Sequence, residues 1–272
     1  MDVSLIGVSL PFSLLNNMTP DAPANRVLLS AYGNDLGQML NTLHSRGVSS
    51  IELRSVTSAD PGLIAAAVRR CADAGLQATI HGSMSMYSNP EDFVYQYSAL
   101  PACTHYIIVL HALKDMALTV AFLQNLVAFA DANMPQLFFA LENERNTPEN
   151  SACQSCEQVA QAIASVGHRR LRACWDLGHH YYNVVNGTES VTPPQDFLSY
   201  TTHTHIHGLS GRTHFPIDGS NLPIKQYCTL LSEQNYTGVY NLELDFNRFY
   251  LDMDPRKALE DSIDLILETR KP

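Results

Sequence analysis

At 272 residues the chain exceeds the usual length of one domain, yet 45% hydrophobic and 16% charged residues give enough apolar material for a large core and too little charge for a disordered chain. Lys plus Arg number 17 against 27 Asp plus Glu, and the formal charge of −10 opposes a phosphate backbone or an anionic membrane. Neither nucleic acid nor a membrane is therefore expected as a partner.

Taken in chain order, short β-branched runs alternate with segments of helical periodicity. Residues 3–8 read as a strand, 36–45 as a helix, 50–53 as a strand and 61–74 as a helix. A strand over 77–80 precedes a helix over 90–100, and a strand over 106–110 precedes a helix over 118–133. Strands over 137–141 and 172–175 are followed by helices over 156–166 and 194–200. The last two units pair strands over 202–206 and 239–244 with helices over 223–234 and 255–268. Asp60-Pro61 and Asp254-Pro255 place a capping acceptor before a proline at the first helical position, and Gly47, Gly75 and Gly167 fall where helices stop. Eight alternations without a linker predict an α/β chain folded as a single (β/α)8 TIM barrel over residues 1–272. An open dinucleotide-binding sheet would carry a glycine fingerprint after the first strand, where the chain reads Gly7-Val8-Ser9-Leu10-Pro11-Phe12.

The stretch after Met1 lacks the basic region and cleavage site of a signal peptide, and no uninterrupted apolar run nears the ~20 residues of a membrane helix, so a cytoplasmic location is expected. Six scattered cysteines, with only Cys153 and Cys156 in a CxxC spacing, read as reduced thiols.

In such a barrel the active site forms at the carboxyl ends of the strands. Those ends carry His81, His111, Glu142, Asp176 with His179 beyond it, His205 with His207, and Glu243. Most follow an apolar run, where a charge is costly unless paired or bound to a metal, so convergence on a cation is the economical explanation. Residues two apart share a face, as do Glu142 and Glu144, His205 and His207, and Glu243 and Asp245. Depth favours Glu142, Asp176, His205 and Glu243 as ligands, with the choice between His205 and His207 left open. A mostly oxygen site suits Mn²⁺, Mg²⁺ or Co²⁺ and also admits Zn²⁺. Glu52 and Arg54 are expected to form an internal ion pair near the end of the second strand, with a substrate role as the lesser reading. Trp175, Tyr181 and Tyr182 are candidates for an aromatic wall, with core packing an equal alternative for Trp175. Segments 83–89 and 181–191 are expected as loops that shape the pocket. Phe246, Phe249, Tyr250 and Leu251 are expected as apolar loop residues serving a homodimer or homotetramer contact, or a lid.

The series Leu141-Glu142-Asn143, Trp175-Asp176-Leu177-Gly178-His179, Thr204-His205-Ile206-His207 and Leu242-Glu243-Leu244 resembles the strand-end motifs of the xylose-isomerase-like barrels. The resemblance extends over nearly the whole chain. It implies a metal-dependent isomerase or epimerase of a small keto or aldo sugar or sugar phosphate, with Glu142, Asp176, His205 and Glu243 on one divalent metal. It further implies that Glu142 and Glu243 exchange protons next to a metal-polarised carbonyl, through an enediolate. His179 and Arg212 would contact the substrate, with His81, His111 and His207 lining the sugar pocket. The same superfamily includes the endonuclease IV group, multi-zinc phosphodiesterases whose additional histidines correspond to His81 and His111. That group carries an Asp-Arg-His triplet where this chain reads Gly211-Arg212-Thr213-His214. A keto-sugar dehydratase or lyase and a non-catalytic sugar-binding barrel are the remaining alternatives.

Overall fold

The computed structural model describes residues 5–16, 22–54, 56, 60–102, 104–149 and 152–270. Its eight strands are all parallel and close in sequence order: β1 (Leu5–Pro11), β2 (Ser50–Arg54), β3 (Gln77–Gly82), β4 (Tyr106–Leu110), β5 (Leu137–Glu142), β6 (Leu171–Asp176), β7 (Thr201–Ile206) and β8 (Val239–Leu242). The helices are α1 (Phe12–Leu15), α2 (Pro23–Ser30), α3 (Leu36–Ser45), α4 (Pro61–Asp73), α5 (Pro90–Tyr95), α6 (Met116–Asn133), α7 (Cys156–Val166), α8 (Leu177–Val185), α9 (Gln195–Tyr200), α10 (Ile224–Glu233) and α11 (Pro255–Thr269).

The period of two along each strand divides the barrel into two environments. Outward residues such as Leu53, Ile80, Leu110, Leu141, Trp175, Ile206 and Leu242 are buried in the large core between sheet and helices. Inside, Val109, Ala140 and Cys174 form a separate small apolar cluster. One step further along the same faces stand His111, Glu142 and Asp176. Polar groups thus replace apolar ones toward the carboxyl end, where the barrel opens.

Local signals account for most boundaries. Asp60 accepts from the Gly62 amide at 2.8 Å, and Asp254 accepts from the Arg256 and Lys257 amides at 2.9 and 3.2 Å. Helix α6 is long and apolar enough to cross a membrane by length and composition, but its Phe122, Leu123, Leu126 and Val127 are buried against β5 and the neighbouring helices.

Several boundaries differ from the sequence expectations. Of the first predicted strand, residues 3 and 4 lie outside the described residues, while β1 continues to Pro11 because Ser9 faces inward and bonds Glu52 at 2.7 Å. The last strand ends at Leu242 rather than 244, and the predicted helix over 90–100 stops at Tyr95. Helices α1, α2 and α8 were not expected. Residues Tyr181 to Val185, read as a loop, belong to α8, which Asp176 caps by accepting from the His179 amide at 2.7 Å. Phe246 and Phe249 are buried instead of loop-exposed, because a 3-10 turn folds them back onto the core; Leu251 stays exposed.

Candidate metal centre and pocket

Parallel register places the inner residues of β5 to β8 around one point. Glu142 pairs with Cys174, Asp176 with His205, and His205 with Asn241, two residues before Glu243. At the centre lies His205 Nδ1, 3.3 Å from Glu142 Oε2, 3.3 Å from Glu243 Oε2 and 3.9 Å from Asp176 Oδ2. Both Glu142 oxygens, His205 Nδ1 and His179 Nε2 are buried without a hydrogen-bond partner among the described residues. Buried groups of this kind cost free energy unless something satisfies them. A cation among three carboxylates and one imidazole does so, and the donor set fits a divalent metal.

The electrostatics agree with that fit. Burial alone pushes the carboxyls of Glu142 and Glu243 up, yet His205 with His111 for the first, and His205 with His214 for the second, hold them well below the ordinary range. Asp176 is also lowered, burial being outweighed by His179 and His207. Burial opposes charge on His205, but Cys174, Glu52, Glu243 and Glu142 together raise it well above its ordinary value. The ring therefore calls for positive charge and, in the protein alone, draws it from imidazole protonation.

Two further groups flank the ring. On one side His81 Nε2 and His111 Nε2 lie 3.3 and 3.2 Å from Glu142 Oε2, and His111 Nδ1 bonds Glu144. On the other, Asp176, His179, His207 and His214 lie together. The His214 amide donates to His207 Nδ1 at 2.9 Å, so the His207 proton sits on Nε2 and is donated to Asp176 Oδ2 at 3.2 Å. His207 is fully buried and holds Asp176 from behind. The ring lies against Gly178, where a Cβ would stand 1.9 Å from His207 Cε1, which explains the glycine between Asp176 and His179.

A cavity of about 600 Å³ opens above, lined by Arg54, His81, His111, Ser83, Glu243 and Asn247 among others. Arg212 is exposed on its loop and does not line this cavity; Arg54 is the guanidinium at the wall. The expected ion pair between Glu52 and Arg54 does not form. Arg54 donates to the Leu244 carbonyl at 3.0 Å, whereas Glu52 is bound by His203 and His205. Trp175 is fully buried beside His180, Phe197 and Tyr227, so it packs the core and not the pocket.

Glu144, His214 and the Glu52 network were not assigned to the site from sequence. The face shared by Glu142 and Glu144 was a usable signal for the first; the other two required the fold. Cys103 lies outside the described residues, and the remaining five cysteines are buried and free. Burial pushes the Cys153 thiol up to about 12 and Cys156 well above its ordinary value, which leaves the CxxC pair protonated.

The model of the xylose isomerase-like TIM barrel family matches residues 108–269. The chain belongs to this family. The match takes in β5 to β8 and so every residue of the central ring. Among solved structures, D-psicose 3-epimerase from Clostridium cellulolyticum H10, solved with D-tagatose, superposes with a TM-score of 0.67 at 12% identity, covering 97% of this chain and 99% of that one. The 3-keto-D-glucoside 4-epimerase from E. coli gives a TM-score of 0.66 at 12% identity, with 97% and 99% covered. A xylose isomerase domain protein from Alicyclobacillus acidocaldarius gives 0.64 at 11%, with 98% of each chain covered. Among curated proteins, an uncharacterized protein of Methanocaldococcus jannaschii is 38% identical over 55 residues, a stretch covering 20% of this chain and 20% of that protein. At such identities the structural likenesses speak for the fold.

Proposed function

We propose that this chain is a divalent-metal-dependent epimerase or isomerase of a small keto or aldo sugar or its phosphate. The observation that carries this reading is the approach of Glu142 from β5 and Glu243 from β8 to the same atom, His205 Nδ1, at 3.3 Å each. The solved epimerases of the same fold support it. Glu142, Asp176, His205 and Glu243 would hold the ion, which when bound would polarise a substrate carbonyl and stabilise charge on its oxygen. The oxygen-rich donor set suits Mn²⁺, Mg²⁺ or Co²⁺ and tolerates Zn²⁺.

Because both glutamates are held ionised, each is a base as it stands and an acid once it has accepted a proton. One removes the proton from the carbon next to the carbonyl, and the other delivers a proton from the opposite face, which inverts that carbon. His179 donates Nδ1–H to the Asn143 carbonyl at 3.2 Å, leaving Nε2 for a substrate oxygen. Arg54, Ser83 and Asn247 offer donors to hydroxyls or a phosphate along the wall.

The test is deuterium uptake from heavy water into a panel of ketoses by the Mn²⁺-loaded protein. One deuterium is expected at the carbon beside the carbonyl, with Glu142→Gln and Glu243→Gln each slowing exchange about 10²–10⁴-fold. Undiminished exchange in both variants would sink the assignment. Loss of a water molecule from the product would point to a dehydratase, and sugar binding without exchange to a non-catalytic barrel.

A second reading, a multi-zinc phosphodiesterase, draws on the approach of His81 and His111 to Glu142 Oε2. The engagement of both His207 nitrogens and the charge of −10 weigh against it. Metal analysis separates the two: about one ion per chain accords with the first, two or three zinc ions with the second.

A further inference from the structure

Glu52 lies one layer below the ring, fully buried on β2. Four donors converge on its carboxylate. His203 Nε2 and His205 Nε2 reach Oε2 at 2.9 and 3.0 Å, while Ser9 Oγ and Asn241 Nδ2 reach Oε1 at 2.7 and 3.2 Å. Strand register brings them together, since Ser9 pairs with Glu52 and Asn241 pairs with both Gly7 and His205. Gly7 leaves the room that Asn241 fills: a Cβ there would stand 2.6 Å from Asn241 Oδ1.

An ionised carboxylate only accepts, so His205 donates to it from Nε2, which leaves Nδ1 as the nitrogen to face a metal on the other side of the ring, giving up there any proton it carries in the metal-free protein. Nδ1 is the atom that Glu142, Asp176 and Glu243 surround. The arrangement has the form in which a carboxylate fixes the orientation of a metal-binding histidine and raises its basicity. Nothing in the proton transfers described above uses Glu52, and its depth in the barrel keeps it from touching substrate.

We propose that Glu52 is a positioning residue for the metal centre: it locks His205 with Nδ1 toward the carboxylates and adds a negative charge behind the ligand. This rests on the reading of the ring as a divalent-metal site. Glu52→Gln keeps the size of the side chain and an oxygen for the two histidines, but removes the charge.

The test combines calorimetric Mn²⁺ titration of wild type and Glu52→Gln with ¹⁵N NMR of histidine-labelled, Zn²⁺-loaded wild type, and circular dichroism confirms that the variant is folded. The expected results are Mn²⁺ binding about 10–100-fold weaker in Glu52→Gln and a His205 ring that carries its proton on Nε2 with Nδ1 on the metal. Binding by the folded variant within twofold of wild type would overturn the proposal while leaving the metal centre intact. So would a His205 ring that coordinates through Nε2, a result independent of whether the variant folds. Failure of wild type to bind Mn²⁺ or Zn²⁺ would overturn the metal-site reading itself, and this proposal with it.

Discussion

His179 illustrates how two functions of one residue separate by atom. Its backbone amide donates to the capping carboxylate of Asp176 at 2.7 Å, while its ring donates to the Asn143 carbonyl and leaves Nε2 without a partner among the described residues. Alanine preserves the amide and deletes the ring. We expect His179→Ala to retain metal near wild-type stoichiometry while kcat/KM for the preferred sugar falls at least tenfold, measured by metal analysis beside steady-state kinetics. Metal loss as large as in Asp176→Ala would place His179 among the ligands instead. The carboxylates of the ring were legible in sequence because each ends or directly follows a largely apolar strand, whereas His205, in the polar run Thr201-Thr202-His203-Thr204-His205, was legible from its place in the series of strand ends. Arg212 was proposed from its loop position, whereas Arg54 is the guanidinium that lines the cavity; loop conformation has no counterpart in strand periodicity.

Strand β6 and helix α8 meet at Asp176, which serves both as a ring carboxylate and as the N-cap of α8. The two duties are separable by substitution. Asp176→Asn keeps a capping oxygen but loses the charge; Asp176→Ala loses both. Asparagine is expected to abolish metal retention, and alanine to cost about 1 kcal/mol more than asparagine in urea unfolding of the metal-free protein. Equal stability of the two variants would refute the capping role. Helix α8 itself escaped the sequence reading because it follows β6 with no intervening loop, and residues 177–185 contain three β-branched or glycine positions that weaken its helical signature. Helices α4 and α11, which begin with Asp-Pro, showed their starts plainly, because the cap and the proline act within one turn.

At the scale of the whole barrel, the concentration of opposite charges at one end makes stability depend on pH and metal. His111 and His205 are raised above their unfolded value, burial being outweighed by Glu142 with Glu144 for the first and by Cys174 with neighbouring carboxylates for the second. Their contribution is therefore complete below about pH 6.5, the unfolded value, and is lost as pH rises through the folded values. Glu142, Asp176 and Glu243 are lowered, so their contribution is present above about pH 4.3 and is lost as pH falls through the folded values. The metal-free protein should thus be most stable between these limits and lose stability on the alkaline side. Mn²⁺ at 100 times its Kd should add about 2.7 kcal/mol. Thermal melts from pH 4 to 9 with and without Mn²⁺ check both effects, and an alkaline profile indifferent to metal would contradict the coupling.

Periodicity, helix caps and the order of strand-end residues are local properties of a chain, and they sufficed for the eight βα units and for placing Glu142, Asp176, His205 and Glu243 at or next to the ends of successive strands. Which partner each side chain takes is a matter of barrel closure. Strands β1 and β2 meet β7 and β8 only when the sheet closes, and this brings Glu52, 153 positions before His205, to its Nε2 rather than to the adjacent Arg54. The pairing of β6 with β7 seats His207 behind Asp176, and the turn after β8 buries Phe246 and Phe249. Such contacts depend on register and on the packing of distant segments, for which residues close in sequence carry no signal.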